Sequence, residues 1–142
     1  MQDTRQPLVV ANIGAPLGVA LAAGLLCGAV WLGDPTTPGG PLPVCPTKAL
    51  LGIDCPGCGS LRMLYSLLHG DVFAASRYNF VGLISVFFLL WAYGAWTYGR
   101  FVDRRITSWQ HHRWAAAAAL AVVSVWFVIR NVPIAPFTGL HV

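Results

Sequence analysis

Three long apolar runs constrain this chain more than any other feature of its sequence. The first, residues 8–32, has Asn12 as its only strongly polar side chain. As an α-helix it would be about 37 Å long, more than the roughly 30 Å of a bilayer's hydrocarbon core and too long for the apolar core of a cleaved signal peptide. Residues 80–101 and 114–130 form the second and third runs. The sequence therefore predicts an all-α, polytopic membrane helix bundle with three transmembrane helices, in one domain covering residues 1–142.

The composition agrees with lipid as the main solvent of the chain. Hydrophobic residues make up 56% of the 142 residues and charged residues 10%, whereas soluble domains carry roughly 25% charged residues. The net charge is +4, but the basic residues fall mainly at the ends of the apolar runs, where they act as anchors rather than as a phosphate-binding stripe. All five acidic residues are Asp, and no carboxylate pair or Gly-rich phosphate loop is visible. These features argue against nucleic-acid binding and against a soluble enzyme domain.

The basic residues also predict an orientation. The short connection between the second and third runs is dense in arginine, and with three spans Arg5 lies on the same side. Because short loops rich in Lys and Arg stay in the cytoplasm, we expect a cytoplasmic N-terminus and an extracytoplasmic loop at residues 33–79. The residues assigned to the cytoplasmic side are Arg5, Arg100, Arg104, Arg105 and Arg113, and those on the opposite side are Lys48, Arg62, Arg77 and Arg130.

Small residues recur along one side of the first run. Gly14 and Gly18, and further along Gly24 and Gly28, stand four residues apart, a spacing that lets another helix approach closely in lipid. We expect this face to pack inside the bundle, with self-association as the alternative. Pro16 should kink the helix because it removes the backbone bond to the carbonyl of Asn12.

The loop between the first two runs carries signals for one or two short interfacial helices. Residues 60–69 have a helical pattern. Gly70 is a natural helix stop, Asp71 a natural cap for a second short helix at residues 72–78, and Asn79 a natural cap for the second transmembrane run. These structural explanations take precedence over a catalytic role for the three residues. The expected apolar stripe of the first short helix is Leu61, Leu64, Tyr65 and Leu68.

The same loop contains a distinctive series of motifs. A Cys-Pro pair is followed by Cys-Pro-x-Cys-Gly, an Arg three residues later, Gly-Asp, and an Asn before an apolar run. In this series the sequence resembles the domain of unknown function 2752 family of small bacterial membrane proteins. The resemblance implies an integral location in a bacterial cytoplasmic membrane and implies no activity. The matching residues are Cys45, Pro46, Cys55, Pro56, Cys58, Gly59, Arg62, Gly70, Asp71 and Asn79, and Arg130-Asn131-x-Pro133 is similar to the family's C-terminal end.

Cys45, Cys55 and Cys58 allow three interpretations. A disulfide between Cys45 and either of the others would tie the Pro-rich loop to a helix in an oxidising compartment, contributing about 2–3 kcal/mol. A CxxC pair of Cys55 and Cys58 would be redox-active, with a thiolate stabilised by the helix N-terminus and by Arg62. The chain has no room for the βαβ frame of a thioredoxin-like protein, so the motif alone is only moderately specific.

The third interpretation is a metal site for zinc or iron, although we expect no cofactor. Three thiolates are one ligand short of the four that a structural zinc ion takes. The candidates for the fourth ligand are His69, Asp54 and Asp71, whereas Cys27 lies inside the first run.

The C-terminal end of the third run carries an arginine. We expect Arg130 to reach the membrane surface by snorkelling, because an arginine at depth in a bilayer is costly. The sequence as a whole favours a non-enzymatic accessory or assembly component with a structural Cys-Pro-x-Cys-Gly loop. The alternative is a membrane thiol–disulfide oxidoreductase that uses Cys55 and Cys58.

Overall fold

The chain is all-helical in the residues that the structure, a computed structural model, describes: 6–37, 39–40, 45–102 and 106–132. Arg5, Arg104, Arg105 and Pro133, which entered the sequence argument, lie outside the described residues. A 3₁₀ turn at Trp109–His111 precedes the last helix. The α-helices are α1 (Gln6–Gly33), α2 (Pro46–Leu51), α3 (Ser60–Leu68), α4 (Val72–Phe101) and α5 (Ala115–Asn131).

Helix α4 contains the break that the sequence predicts. Asn79 has extended backbone angles (φ −159°, ψ 92°) between a short helix that begins at Val72 and a long helix that ends at Phe101. Asp71 Oδ1 accepts a hydrogen bond from the Ala74 N–H at 2.8 Å, and Asn79 Oδ1 accepts one from the Gly82 N–H at 2.8 Å. Both predicted caps are therefore confirmed.

Among the described residues, two helices are long and apolar enough to cross a membrane. They are Ile13–Gly33, within α1, and Val72–Phe101, and only 11% and 6% of their most apolar windows are buried. Such low burial is unlike the core helix of a soluble protein, which is apolar because it is covered. Helix α5 is apolar but shorter, with 17 residues and thus a length of about 26 Å. The structure therefore supports two candidate spans and a shorter apolar helix.

The packing is concentrated at one end of the molecule. Helix α3 packs on α4, and α1 contacts both α3 and α4. The apolar core there is small and includes Val30, Met63 and Ala75. Further along, the Tyr93 hydroxyl donates to the Pro16 carbonyl at 3.0 Å and joins α4 to α1. Elsewhere large apolar side chains face outward, with Leu25 75% and Leu32 87% exposed.

The glycines of α1 do not form the expected packing face against the described part of the chain. A Cβ atom placed on Gly14, Gly18, Gly24 or Gly28 meets no described atom within 4 Å. The buried described residues of α1 are instead Pro16 and Val30. The spacing of small residues permits close approach, but here α1 meets its neighbours on another face.

Two further differences concern the loop helices. The predicted apolar stripe of α3 is only partly covered. The buried residues of the helix are instead Met63 and Ser66, because α4 and α1 approach α3 from a different side. Helix α2 was not predicted, although its boundaries follow simple rules. Pro46 stands in the first turn and needs no N–H bond, and Gly52 ends the helix in the left-handed conformation at φ 67°.

Candidate functional site

Three cysteine thiols meet at the end of the molecule where α1, α3 and α4 pack together. Cys45 immediately precedes α2, and Cys55 and Cys58 lie in the turn before α3. The Sγ atoms of Cys45 and Cys55 are 3.2 Å apart, those of Cys55 and Cys58 are 3.1 Å apart, and all three lie within 4.8 Å of one another. Because a disulfide bond is about 2.05 Å long, all three are free thiols. The loop therefore brings three cysteine thiols together at one point.

The turn between Cys55 and Cys58 is set by its own backbone. The Cys58 N–H donates to the Cys55 carbonyl at 3.0 Å, and the Cys55 N–H donates to the Cys58 sulfur at 3.2 Å. Gly59 follows at φ 78°, a left-handed conformation that glycine adopts without strain, and α3 begins directly afterwards. The Cys-Pro-x-Cys-Gly sequence thus encodes a turn that directs both thiols to one point.

Asn79 fixes this turn from the break in α4. Its side chain is 1% exposed. Its amide nitrogen Nδ2 donates to the Pro56 carbonyl and the Ser60 hydroxyl at 3.0 Å each, with the Cys58 carbonyl at 3.4 Å. One buried amide therefore caps the long helix with its oxygen and holds the cysteine turn with its nitrogen.

Arg130 reaches the same turn from the end of α5. Its side chain is 0% exposed, and its Nη1 atom donates to the Cys58 carbonyl at 2.6 Å. The guanidinium carbon also lies 5.6 Å from the centre of the Trp126 ring, one helical turn earlier. The expectation that Arg130 snorkels to the surface is wrong, because the cysteine loop (residues 45–59) covers the end of α5 and supplies a carbonyl acceptor there.

Asn131 holds the residue before the turn. Its Oδ1 accepts from the Asp54 N–H at 3.1 Å, and its Nδ2 donates to the Asp54 carbonyl at 2.8 Å. The Asp54 carboxylate is 3.0 Å from the Lys48 ammonium of α2. Asp54 therefore joins α2 to α5 immediately next to Cys55.

The remaining predicted site residues lie apart from the thiols. Arg62 Nε donates to the Pro35 carbonyl at 3.0 Å and ties α3 to the segment after α1. The His69 ring stacks on Trp31 with ring centres 3.9 Å apart. Among the described residues, the thiol cluster therefore gains none of the suggested fourth ligands, since Asp71 caps α4 and Asp54 pairs with Lys48.

The thiols differ in acidity. The hydrogen bond with the Cys55 thiol, together with the Lys48 backbone N–H, lowers the pKa of Cys45 to about 6. Burial, assisted by the neighbouring Cys55 sulfur, raises the pKa of Cys58 to about 12. The Cys45 thiol is therefore more acidic than the Cys58 thiol of the CxxC pair.

Comparison with known proteins confirms the family resemblance over part of the chain. Residues 45–93 match the model of the family described as Protein of unknown function (DUF2752). The match covers α2, α3 and most of α4, and thus all three thiols and Asn79, whereas Arg130 and Asn131 lie beyond it. No curated protein and no solved structure matches the chain.

Sequence reasoning missed Gly82 and Lys48 as parts of the site. A Cβ atom on Gly82 would lie 3.0 Å from Asn79 Cγ and 3.1 Å from Met63 Cε. The only available signal was the position of Gly82, three residues after a helix-capping Asn.

We expect Gly82→Ala to destabilise the protein by about 1–3 kcal/mol, because the added methyl group must displace a hydrogen-bonded Asn79. Gly94→Ala in the same helix is the matched control, since a Cβ there meets no described atom within 4 Å. Thermal unfolding in detergent micelles should show a midpoint several degrees lower for Gly82→Ala only. Equal midpoints for the two variants would contradict the close packing at Asn79.

Proposed function

We propose that this chain is a small integral membrane protein of three spans that acts as a non-enzymatic accessory or assembly component. In this proposal the cysteine loop, residues 45–59, is a structural element that is hydrogen-bonded to the end of the third span. The observation that carries the proposal is the pair of contacts from α5 to the loop. Arg130 donates to the Cys58 carbonyl and Asn131 bonds both backbone groups of Asp54. Such contacts hold the loop in one conformation, so that a partner protein can recognise a fixed surface.

The distribution of polar and apolar groups supports lipid as the surrounding solvent. The fully buried side chains include Arg130 and Asn79, whereas the exposed ones include many large apolar residues of α1, α4 and α5. In water this arrangement would expose far more contiguous apolar surface than a soluble monomer carries. In a bilayer the same surface is solvated, and buried polar contacts are the natural means of joining helices.

The third span is the shortest of the proposed three. Helix α5 is about 26 Å long, a few ångströms less than a typical hydrocarbon core. Local thinning of the bilayer compensates such a mismatch at a modest cost. At its start, Arg113 and the exposed Trp114 form a cation–π pair of the kind found near membrane surfaces. The proposed orientation has the N-terminus in the cytoplasm and the cysteine loop outside it.

If α4 spans the bilayer, the loop before it and the loop after it lie on opposite sides. We expect an impermeant maleimide to label Cys45 and Cys55 from one side of sealed, reduced vesicles. An added cysteine at the exposed position Thr107 (Thr107→Cys) should be labelled only from the other side, and peptide mapping identifies each site. Detergent-opened vesicles provide the control in which both loops react. Labelling of both loops from the same side, or release of the chain by carbonate, would overturn the membrane assignment.

A second candidate function is thiol–disulfide exchange, which one specific observation favours. Cys55 is in contact with both other thiols, so a disulfide formed with either leaves a third thiol beside it. In the reaction, the Cys55 thiolate attacks a partner's disulfide, and the partner's second sulfur leaves as a thiolate that takes up a proton. The Cys58 thiol then loses its proton and attacks the Cys55 sulfur of the mixed disulfide, and the partner's first sulfur leaves and takes up that proton. Two electrons thus pass to the partner, which becomes a dithiol, and a Cys55–Cys58 disulfide forms.

The trapping variant Cys58→Ser separates the two candidate functions. As an accessory component, the protein should change in abundance or packing on this substitution, with no adducts above the level of the Cys27→Ser control on non-reducing gels. As an oxidoreductase, it should accumulate reductant-sensitive mixed disulfides that disappear when Cys55→Ser is added. The second pattern would contradict the non-enzymatic proposal.

A further inference from the structure

We propose that Cys45, Cys55 and Cys58 together bind one zinc ion through three thiolates and leave its fourth coordination position open. The inference adds a ligand to a loop that the proposed function treats as structural. It does not depend on the topology of the helices.

The spacing of the three sulfurs fits the ion. A Zn–S distance of about 2.3 Å in tetrahedral geometry places thiolate sulfurs roughly 3.8 Å apart. The observed separations, 3.1 Å and 3.2 Å for two pairs with all three sulfurs within 4.8 Å, differ from this value by no more than about 1 Å. Small movements of side chains therefore convert the thiol cluster into a ligand set. A disulfide would use only two of the three convergent sulfurs.

The surrounding structure holds these ligands in place before the ion binds. Asn79 fixes the turn that carries Cys55 and Cys58, and Asn131 fixes the backbone of Asp54 immediately before it. The Cys55 N–H already donates to the Cys58 sulfur. Such a bond becomes stronger when the sulfur is a thiolate ligand, because a charged acceptor binds a donor more tightly. Binding therefore orders little additional chain.

The charge balance also favours a bound ion. Three thiolates and one Zn²⁺ carry a net charge of −1, and one of the three ligand residues, Cys58, is buried. Arg130 is fully buried, and within the described residues its Nε and Nη2 groups have no hydrogen-bond partner. Its guanidinium donates to the carbonyl of Cys58, one of the three ligand residues. A buried cation with incomplete pairing is costly, and a neighbouring anionic zinc–thiolate centre reduces that cost.

The open position faces outward. Cys58 is 5% exposed, whereas Cys45 and Cys55 are partly exposed, so the free side of an ion held between them is directed toward solvent. Asp54, the nearest acidic residue in sequence, is engaged with Lys48. Within the described residues no fourth protein ligand joins the three sulfurs, so we expect a water molecule at that position.

Zinc retention by the reduced full-length protein in detergent tests this inference. After loading with Zn²⁺ and removal of excess metal, mass spectrometry of the metal content should find one zinc per chain. Loading with Co²⁺ instead should give the sulfur-to-metal charge-transfer absorption of a thiolate site. We expect Cys45→Ser to weaken zinc retention against a competing chelator by about 100-fold or more, because a whole ligand is lost. Cys27→Ser is the matched control, since Cys27 lies in α1 outside the cluster.

Two results would overturn the inference. One is the absence of bound zinc in wild-type protein whose thiols are shown by titration to be reduced. The other is equal zinc retention by Cys45→Ser and Cys27→Ser. An unfolding midpoint measured for each metal-free variant shows whether Cys45→Ser is folded, and Cys55→Ser serves as a second ligand variant. A failure here leaves the sided labelling of the loops unchanged, so the zinc site and the membrane proposal fail separately.

Discussion

The hydrogen bond from Arg130 to the Cys58 carbonyl is the contact on which the arrangement of the site depends. It joins α5 to the cysteine turn across 72 residues of sequence, with a donor–acceptor distance of 2.6 Å and a fully buried guanidinium. Placing an arginine away from water costs several kcal/mol, and a charged donor on a carbonyl recovers part of that cost. Asn131 adds two bonds to Asp54, so two adjacent residues of α5 fix the loop.

Around this contact the molecule has the reverse of the usual distribution of polarity. Its few fully buried side chains include an arginine and an asparagine, while its long helices present leucine, phenylalanine and tryptophan outward. In water such helices would gain stability by covering these surfaces, at about 25 cal/mol per Å². In lipid there is no comparable gain, and specific polar contacts decide how helices and loops pack. The proposed membrane location therefore predicts the concentration of hydrogen bonds at one end of the bundle.

Local sequence signals predicted the parts of this structure that depend on neighbours in sequence. Asp71 and Asn79 cap helices because their side chains reach an N–H three residues on, and both caps are recognisable in the sequence. The roles of Arg130 and Asn131 were not predictable, because their partners lie 72 and 77 residues away. The spacing of small residues in α1 also gave a packing face that is not used by the described neighbours. Such spacing shows which packing a helix permits and not which neighbour is present. The convergence of three cysteines required the turn geometry and Asn79 together.

The alkylation rate of Cys58 tests most directly whether α5 holds the cysteine loop in its buried conformation. The rate is measured by peptide mapping of reduced protein treated with iodoacetamide in detergent, with Arg130→Ala compared with Arg77→Ala, an exposed arginine of α4. Losing the buried partner of the Cys58 carbonyl should cost about 1–3 kcal/mol and raise the rate at Cys58 roughly tenfold or more. The Arg77→Ala rate should equal that of the wild type. Equal Cys58 rates in both variants would contradict the account.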